Sequence, residues 1–181
     1  MGRGGSIVKR ILFVLSLCAL GCAPALAQTG SAGMSNQEFV DFAAQTDMME
    51  AHLGQVAAEQ AASQTVKDFA QTLVTDHTND YQQLTAAAGK ASLTVPKGLD
   101  AAHDQMIAPL AKLKGAAFDR RFAQEMVSGH QKAITAYQGE AQNGQNADLK
   151  AYAAQALPTL EKHLQAAREL GPSKSKGQSK P

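Results

Sequence analysis

Cysteine is almost missing from this chain: of 181 residues only Cys18 and Cys22 carry a thiol, and both lie near the N-terminus. Arg3, Lys9 and Arg10 precede a short apolar run, Ile11 to Leu20, and the sequence then reaches Ala25-Leu26-Ala27. This is the basic start, apolar stretch and small-x-small end that a signal peptidase cuts. About ten apolar residues are too few to cross a bilayer. Residues 1–27 are therefore expected to be a signal peptide, with a mature chain beginning at Gln28 in the periplasm or outside the cell. Gly21-Cys22 offers an alternative, a lipid-anchored N-terminus at Cys22, although the position three before it is Ala19 where a lipobox usually carries leucine. Cleavage after Ala27 removes both thiols and so excludes disulfides, thiolate ligands and thiol nucleophiles.

Other absences narrow the function. No charge of one sign dominates, with 17 basic residues against 16 acidic ones, so there is no nucleic-acid footprint. Runs of β-branched residues are lacking, while Ala, Gln, Leu and Lys are abundant, which points to an all-α chain. No nucleophile elbow, phosphate loop or cofactor fingerprint is present, and a non-enzymatic role is expected. Residues 171–181 contain no apolar side chain and are expected to form a disordered tail, as residues 28–35 are expected to form a flexible N-terminus.

What remains, 36–170, reads as one helical domain. Ser35-x-x-Glu38 is a capping box that opens a helix from about 36 to 61, with Phe39, Phe42, Thr46, Met49, Glu50, Leu53 and Val56 recurring at three- and four-residue steps. Ser63 is placed to cap a second helix carrying Val66, Phe69, Leu73, His77, Tyr81 and Leu84 and ending near Gly89. A connector with Pro96 leads to a shorter helix at about 100–113, which Pro109 must kink or divide. A third long helix, about 116–141, aligns Phe118, Phe122, Met126, His130, Ile134 and Tyr137. Asn143-Gly144 marks a turn, and a fourth runs from about 147 to 170 with Leu149, Ala156, Leu160, His163 and Leu170 on one face. Two helical hairpins joined by a long crossover containing a short helix give a ferritin-like up-down four-helix bundle.

Each long helix carries one ionisable residue in its apolar stripe: Glu50, His77, His130 and His163. Unpaired burial would cost several kcal/mol, so each needs a partner. Counted from the turns, Glu50 and His77 differ in level by about 4.5 Å and His130 and His163 by roughly 7.5 Å, close enough to converge in mid-bundle. Three imidazoles and a carboxylate suit one divalent transition metal such as zinc, copper or iron. Asp76, beside His77, and Glu125, near His130, are candidates to orient a ligand from behind. A plainer reading makes the four a buried polar network that fixes helix register without metal. His52 falls on the opposite face from Glu50 and is expected to be exposed; His103 has no assignment. The methionines at 48, 49, 106 and 126 read as core filler. Pro158 is expected to bend the last helix ahead of His163.

Glu50, Val66-Lys67-Asp68-Phe69-Ala70, Asp76-His77, Phe118-Asp119, His130, Leu157-Pro158-Thr159-Leu160 and His163-Leu164 together resemble the exported bacterial family called domain of unknown function 4142. The resemblance spans about 36–170. It implies a ferritin-like bundle in a periplasmic or envelope setting and no particular reaction. The residues three before His77, His130 and His163 are Val74, Val127 and Leu160, whereas di-iron proteins of this architecture carry Glu there. A carboxylate-bridged di-iron centre is therefore not expected. Three roles follow in order: an envelope protein binding one metal, a metal-free stress-related interaction or scaffold bundle with an unidentified envelope partner, and a metal-dependent hydrolase or redox enzyme. The last would need a pocket beside the histidines.

Overall fold

The computed structural model describes residues 33–170. The expected signal peptide, the alternative anchor at Cys22, residues 28–32 and the expected tail lie outside the described residues. Within them the chain is all-α, with five helices and no strand: α1 (Asn36–Gln60), α2 (Gln64–Lys90), α3 (Ala101–Ala111), α4 (Gly115–Asn143) and α5 (Ala147–Glu169). These bounds agree with the sequence periods to within two residues. None of the helices is long and apolar enough to cross a membrane.

The helix ends show why the boundaries fall where they do. Ser35 and Glu38 form the reciprocal capping box at the start of α1. Ser63 takes the N-cap position of α2, but its side chain does not cap. The turn is held instead from α4, where the Asp119 carboxylate accepts from the Ala62 and Ser63 backbone N–H groups at 3.1 and 3.0 Å. At the far end of α2, Ser92 adopts φ 57°, and Leu93 N–H returns to the Ala88 carbonyl at 2.9 Å. This is the left-handed cap that usually demands glycine. Asp100 and Asn146 cap α3 and α5 with their side chains.

α1 packs along α2 and α4 along α5, while α2 also meets α5 and α1 meets α4. Gly54 permits the first pairing: a Cβ there would lie 2.7 Å from the Ala70 carbonyl oxygen and from Val74 Cγ2. The connector before α3 is clamped to α1 by two side-chain amides. Gln37 both donates to and accepts from the backbone of Thr94, and Gln45 does the same across Gly98 and Asp100. Pro109 sits two residues from the end of α3, so the helix stops rather than kinks. Pro158 lies inside α5 on an exposed position, and the helix continues through it.

The core falls into two apolar clusters. One gathers Phe39, Leu84, Ala133, Tyr137, Leu149, Tyr152 and Leu160. The other gathers Leu53, Phe69, Leu73, Phe118, Phe122, Met126 and Ala167. On every long helix the boundary between the clusters is a polar residue.

A histidine and carboxylate centre between two apolar layers

The polar layer contains all four residues singled out from the sequence. Glu50 comes from α1, His77 from α2, His130 from α4 and His163 from α5, and they are 1, 2, 0 and 4% exposed. The ring centres of the three histidines lie 5.2–5.8 Å apart. One nitrogen from each imidazole can be chosen so that all three lie within 4.8 Å of one another. The Glu50 carboxylate enters the same space: its Oε2 is 3.0 Å from His77 Nε2 and 3.2 Å from His130 Nε2. Gly129 leaves room for it, since a Cβ there would lie 3.1 Å from Glu50 Oε1.

Each imidazole is tethered from outside the centre. His77 Nδ1 donates to Asp47 Oδ1 at 2.9 Å, His130 Nδ1 to the Met126 carbonyl at 2.9 Å, and His163 Nε2 to Asp76 Oδ2 at 2.9 Å. The remaining nitrogens, His77 Nε2, His130 Nε2 and His163 Nδ1, are buried and make no hydrogen bond, and neither does Glu50 Oε2. The contacts of His77 and His130 with Glu50 are therefore short but misaligned, ion-pair approaches rather than hydrogen bonds. Four inward atoms without partners are costly in an apolar surround. A cation at their focus would satisfy all four, with the tethers fixing tautomer and ring orientation.

The electrostatics follow from burial and proximity. Burial works against a charged His77, but Glu50 and Asp47 outweigh it and lift the imidazolium to about 10. Burial likewise works against an ionised Glu50, and His130 and His77 reverse it, so the carboxyl is held below its ordinary value. Asp47 is pushed up to about 7 by burial despite its bond to His77. His163 goes down: burial dominates, Asp76 opposes it, and His77 and His130 add repulsion.

Asp76 serves His163 across the α2–α5 interface rather than its neighbour His77, as the angle between consecutive helical side chains requires. Glu125 pairs with Arg121 one turn back on α4. His52 is exposed, and His103 is tied to Asp100 at the start of α3. Sequence reasoning passed over Asp47, which is 1% exposed and three residues before Glu50 on the same face. That spacing was the available signal. It also missed Asp80, which accepts from Tyr152 at 2.8 Å and Tyr137 at 3.4 Å, the two phenols being 2.9 Å apart. A cavity of about 200 Å³ opens beside His77 and His163, lined also by Asp76 and Asp80.

The chain belongs to the family described as Domain of unknown function (DUF4142). The model of that family matches residues 22–170. No curated protein matches the chain. Among solved structures, CopM in the Cu(II)-bound form is similar in fold, with a TM-score of 0.62 and 17% sequence identity, over 76% of this chain and 95% of CopM's. At that identity the likeness speaks for the helical fold alone.

Proposed function

We propose that this protein binds one divalent transition metal in mid-core, with Glu50, His77, His130 and His163 as ligands and Asp47 and Asp76 holding two of the imidazoles from behind. The observation that carries the reading is the set of inward-facing, buried and unpartnered atoms, three nitrogens and one carboxylate oxygen, each on a different helix. Neutral imidazole with one carboxylate suits copper, zinc or iron. The fold likeness to CopM in the Cu(II)-bound form makes copper the first metal to try. In this reading residues 36–170 form a ferritin-like up-down four-helix bundle with α3 in its crossover. The bundle follows a signal peptide cleaved near Ala27 and works in the periplasm or envelope as a metal buffer or sensor. The Glu-x-x-His pairs of di-iron carboxylate proteins are missing, which supports a single ion.

Cu(II) added to chelator-treated protein is expected to give one saturable electron paramagnetic resonance signal with nitrogen couplings from three imidazoles. His130→Ala should remove one of these couplings. A signal with the same nitrogen count in wild type and variant would count against the assignment.

A second reading has its own supporting observation, the charged His77 held between Asp47 and Glu50. In that reading the layer is a metal-free network in a scaffold protein, and neither copper, zinc nor iron changes the melting temperature.

A further inference from the structure

The four proposed ligands do not meet solvent equally. His77 and His163 line the 200 Å³ cavity between α2 and α5, whose wall includes neither Glu50 nor His130. A second hollow of about 450 Å³ lies along the same two helices, reaching Thr65 and Phe69. Asp76, Thr159 and His163 border both. The Asp76–His163 pair is thus a partition across the α2–α5 seam, with Asp76 36% exposed and His163 buried behind it.

The chemistry of the first cavity favours cations. Its lining carries two carboxylates, Asp76 and Asp80, against one imidazolium, His77 at the inner end, with no lysine or arginine, and the remaining wall includes Asn79, Gln83 and Gln155. A cleft whose outer wall carries an excess of one sign of charge between low-dielectric walls concentrates ions of the opposite sign, and here the carboxylates outnumber the imidazolium. Elsewhere, α1 and α2 approach closely at Gly54, and the apolar hollow lined by Arg120, Val127 and Arg168 reaches none of the four ligands.

We infer that the α2–α5 seam is the route by which a metal cation enters and leaves the centre, and that Asp76 is the positioning carboxylate that receives the ion at the mouth and passes it inward past His163. The inference rests on the metal-binding reading above. Asp76 has two uses in this scheme. When its contact with His163 is made, the imidazole presents Nδ1 to the centre. When the contact opens, the carboxylate faces the incoming hydrated ion while His163 swings aside. The rate of metal exchange is then set by this seam, and the affinity by the four ligands.

The test is stopped-flow mixing of Cu(II) and of Co(II) with the purified, chelator-treated protein, paired with chelator-driven release from the loaded form. Thr159→Trp places a large ring where the two hollows meet without replacing a ligand. It is expected to slow uptake and release by one common factor and leave Kd unchanged, because obstructing a path changes its barrier and not its end states. Gln155→Trp obstructs the outer wall and gives the same pattern if Thr159→Trp does not fold. Asp76→Asn, nearly isosteric, is expected to slow uptake by roughly tenfold and flatten its dependence on salt. Unchanged rates in both Trp variants, with wild-type stoichiometry, overturn the route and leave the site standing. A shifted Kd with an unchanged uptake rate overturns it as well. Absence of binding in the unaltered protein overturns the site, and the route with it.

Discussion

Glu50→Ala is expected to destabilise the chelator-treated protein by roughly 3–5 kcal/mol, the usual cost of removing one partner from a buried ion pair. Glu50 is the negative group that faces both His77 and His130, at 3.0 and 3.2 Å. Without it a charged His77 is left between two apolar clusters with Asp47 alone for balance, and space opens beside Gly129. The loss comes chiefly from stranding a charge rather than from forfeiting an attraction. The double variant Glu50→Leu with His77→Leu should therefore recover much of the stability while still abolishing metal uptake. Urea denaturation of the metal-free proteins reads both effects. A cost below about 1 kcal/mol for Glu50→Ala would mean that the pair is solvated or relaxed, contrary to its burial.

The second large effect concerns pH. His77 is lifted from the ordinary 6.5 to about 10 in the metal-free fold. A raised value means that the folded chain holds a proton that the unfolded chain gives up. Its contribution is fully present below pH 6.5 and is lost as pH rises through about 10. Asp47, raised from 3.8 to about 7, acts in the same direction at lower pH, its contribution being lost as pH rises through about 7. His163 is shifted the other way, so its contribution is present above 6.5 and lost on acidification. Above neutrality His77 decides the sign, and the chelator-treated protein should lose stability steadily between about pH 7 and pH 10. In the metal-binding reading, loading reverses the trend. Coordination at His77 Nε2 must displace its proton, so apparent affinity should rise by about tenfold per pH unit from about pH 6 to pH 9, with one proton released per ion bound. Calorimetric titration in buffers of different ionisation enthalpy measures that proton directly. His77→Gln should flatten the dependence, and an affinity independent of pH in the wild type would contradict this role for His77.

The helices were legible because their signals are local. Ser35 and Glu38 announce α1, Asn143-Gly144 and Asn146 separate α4 from α5, and the apolar spacing is regular throughout. The convergence of Glu50, His77, His130 and His163 was legible for a related reason. An ionisable residue interrupts each apolar stripe, and two helical hairpins of similar length bring those interruptions to nearly one level. What remained hidden depended on rotation about the helix axes and on pairs far apart in sequence. Asp76 meets His163 from 87 residues away, and nothing local links them. Asp119 holds the α1–α2 turn across 56 and 57 residues, a task that the local pattern assigns to Ser63. Asp47 lay on the expected face, but a stripe read at Thr46 and Glu50 stepped over it. Asp80 with Tyr137 and Tyr152 was likewise invisible, since its members come from three helices.

Metal content per chain is the most direct test of the central claim, measured on protein purified from its native compartment without chelator or affinity tag, beside the double variant His77→Ala with His163→Ala. One equivalent of a transition metal in the wild type, lost in the variant while its helical signal persists, is the expected result. A wild-type protein that carries no metal and gains no thermal stability from added copper, zinc or iron would contradict it, and would make the polar layer a network that holds the helices in register.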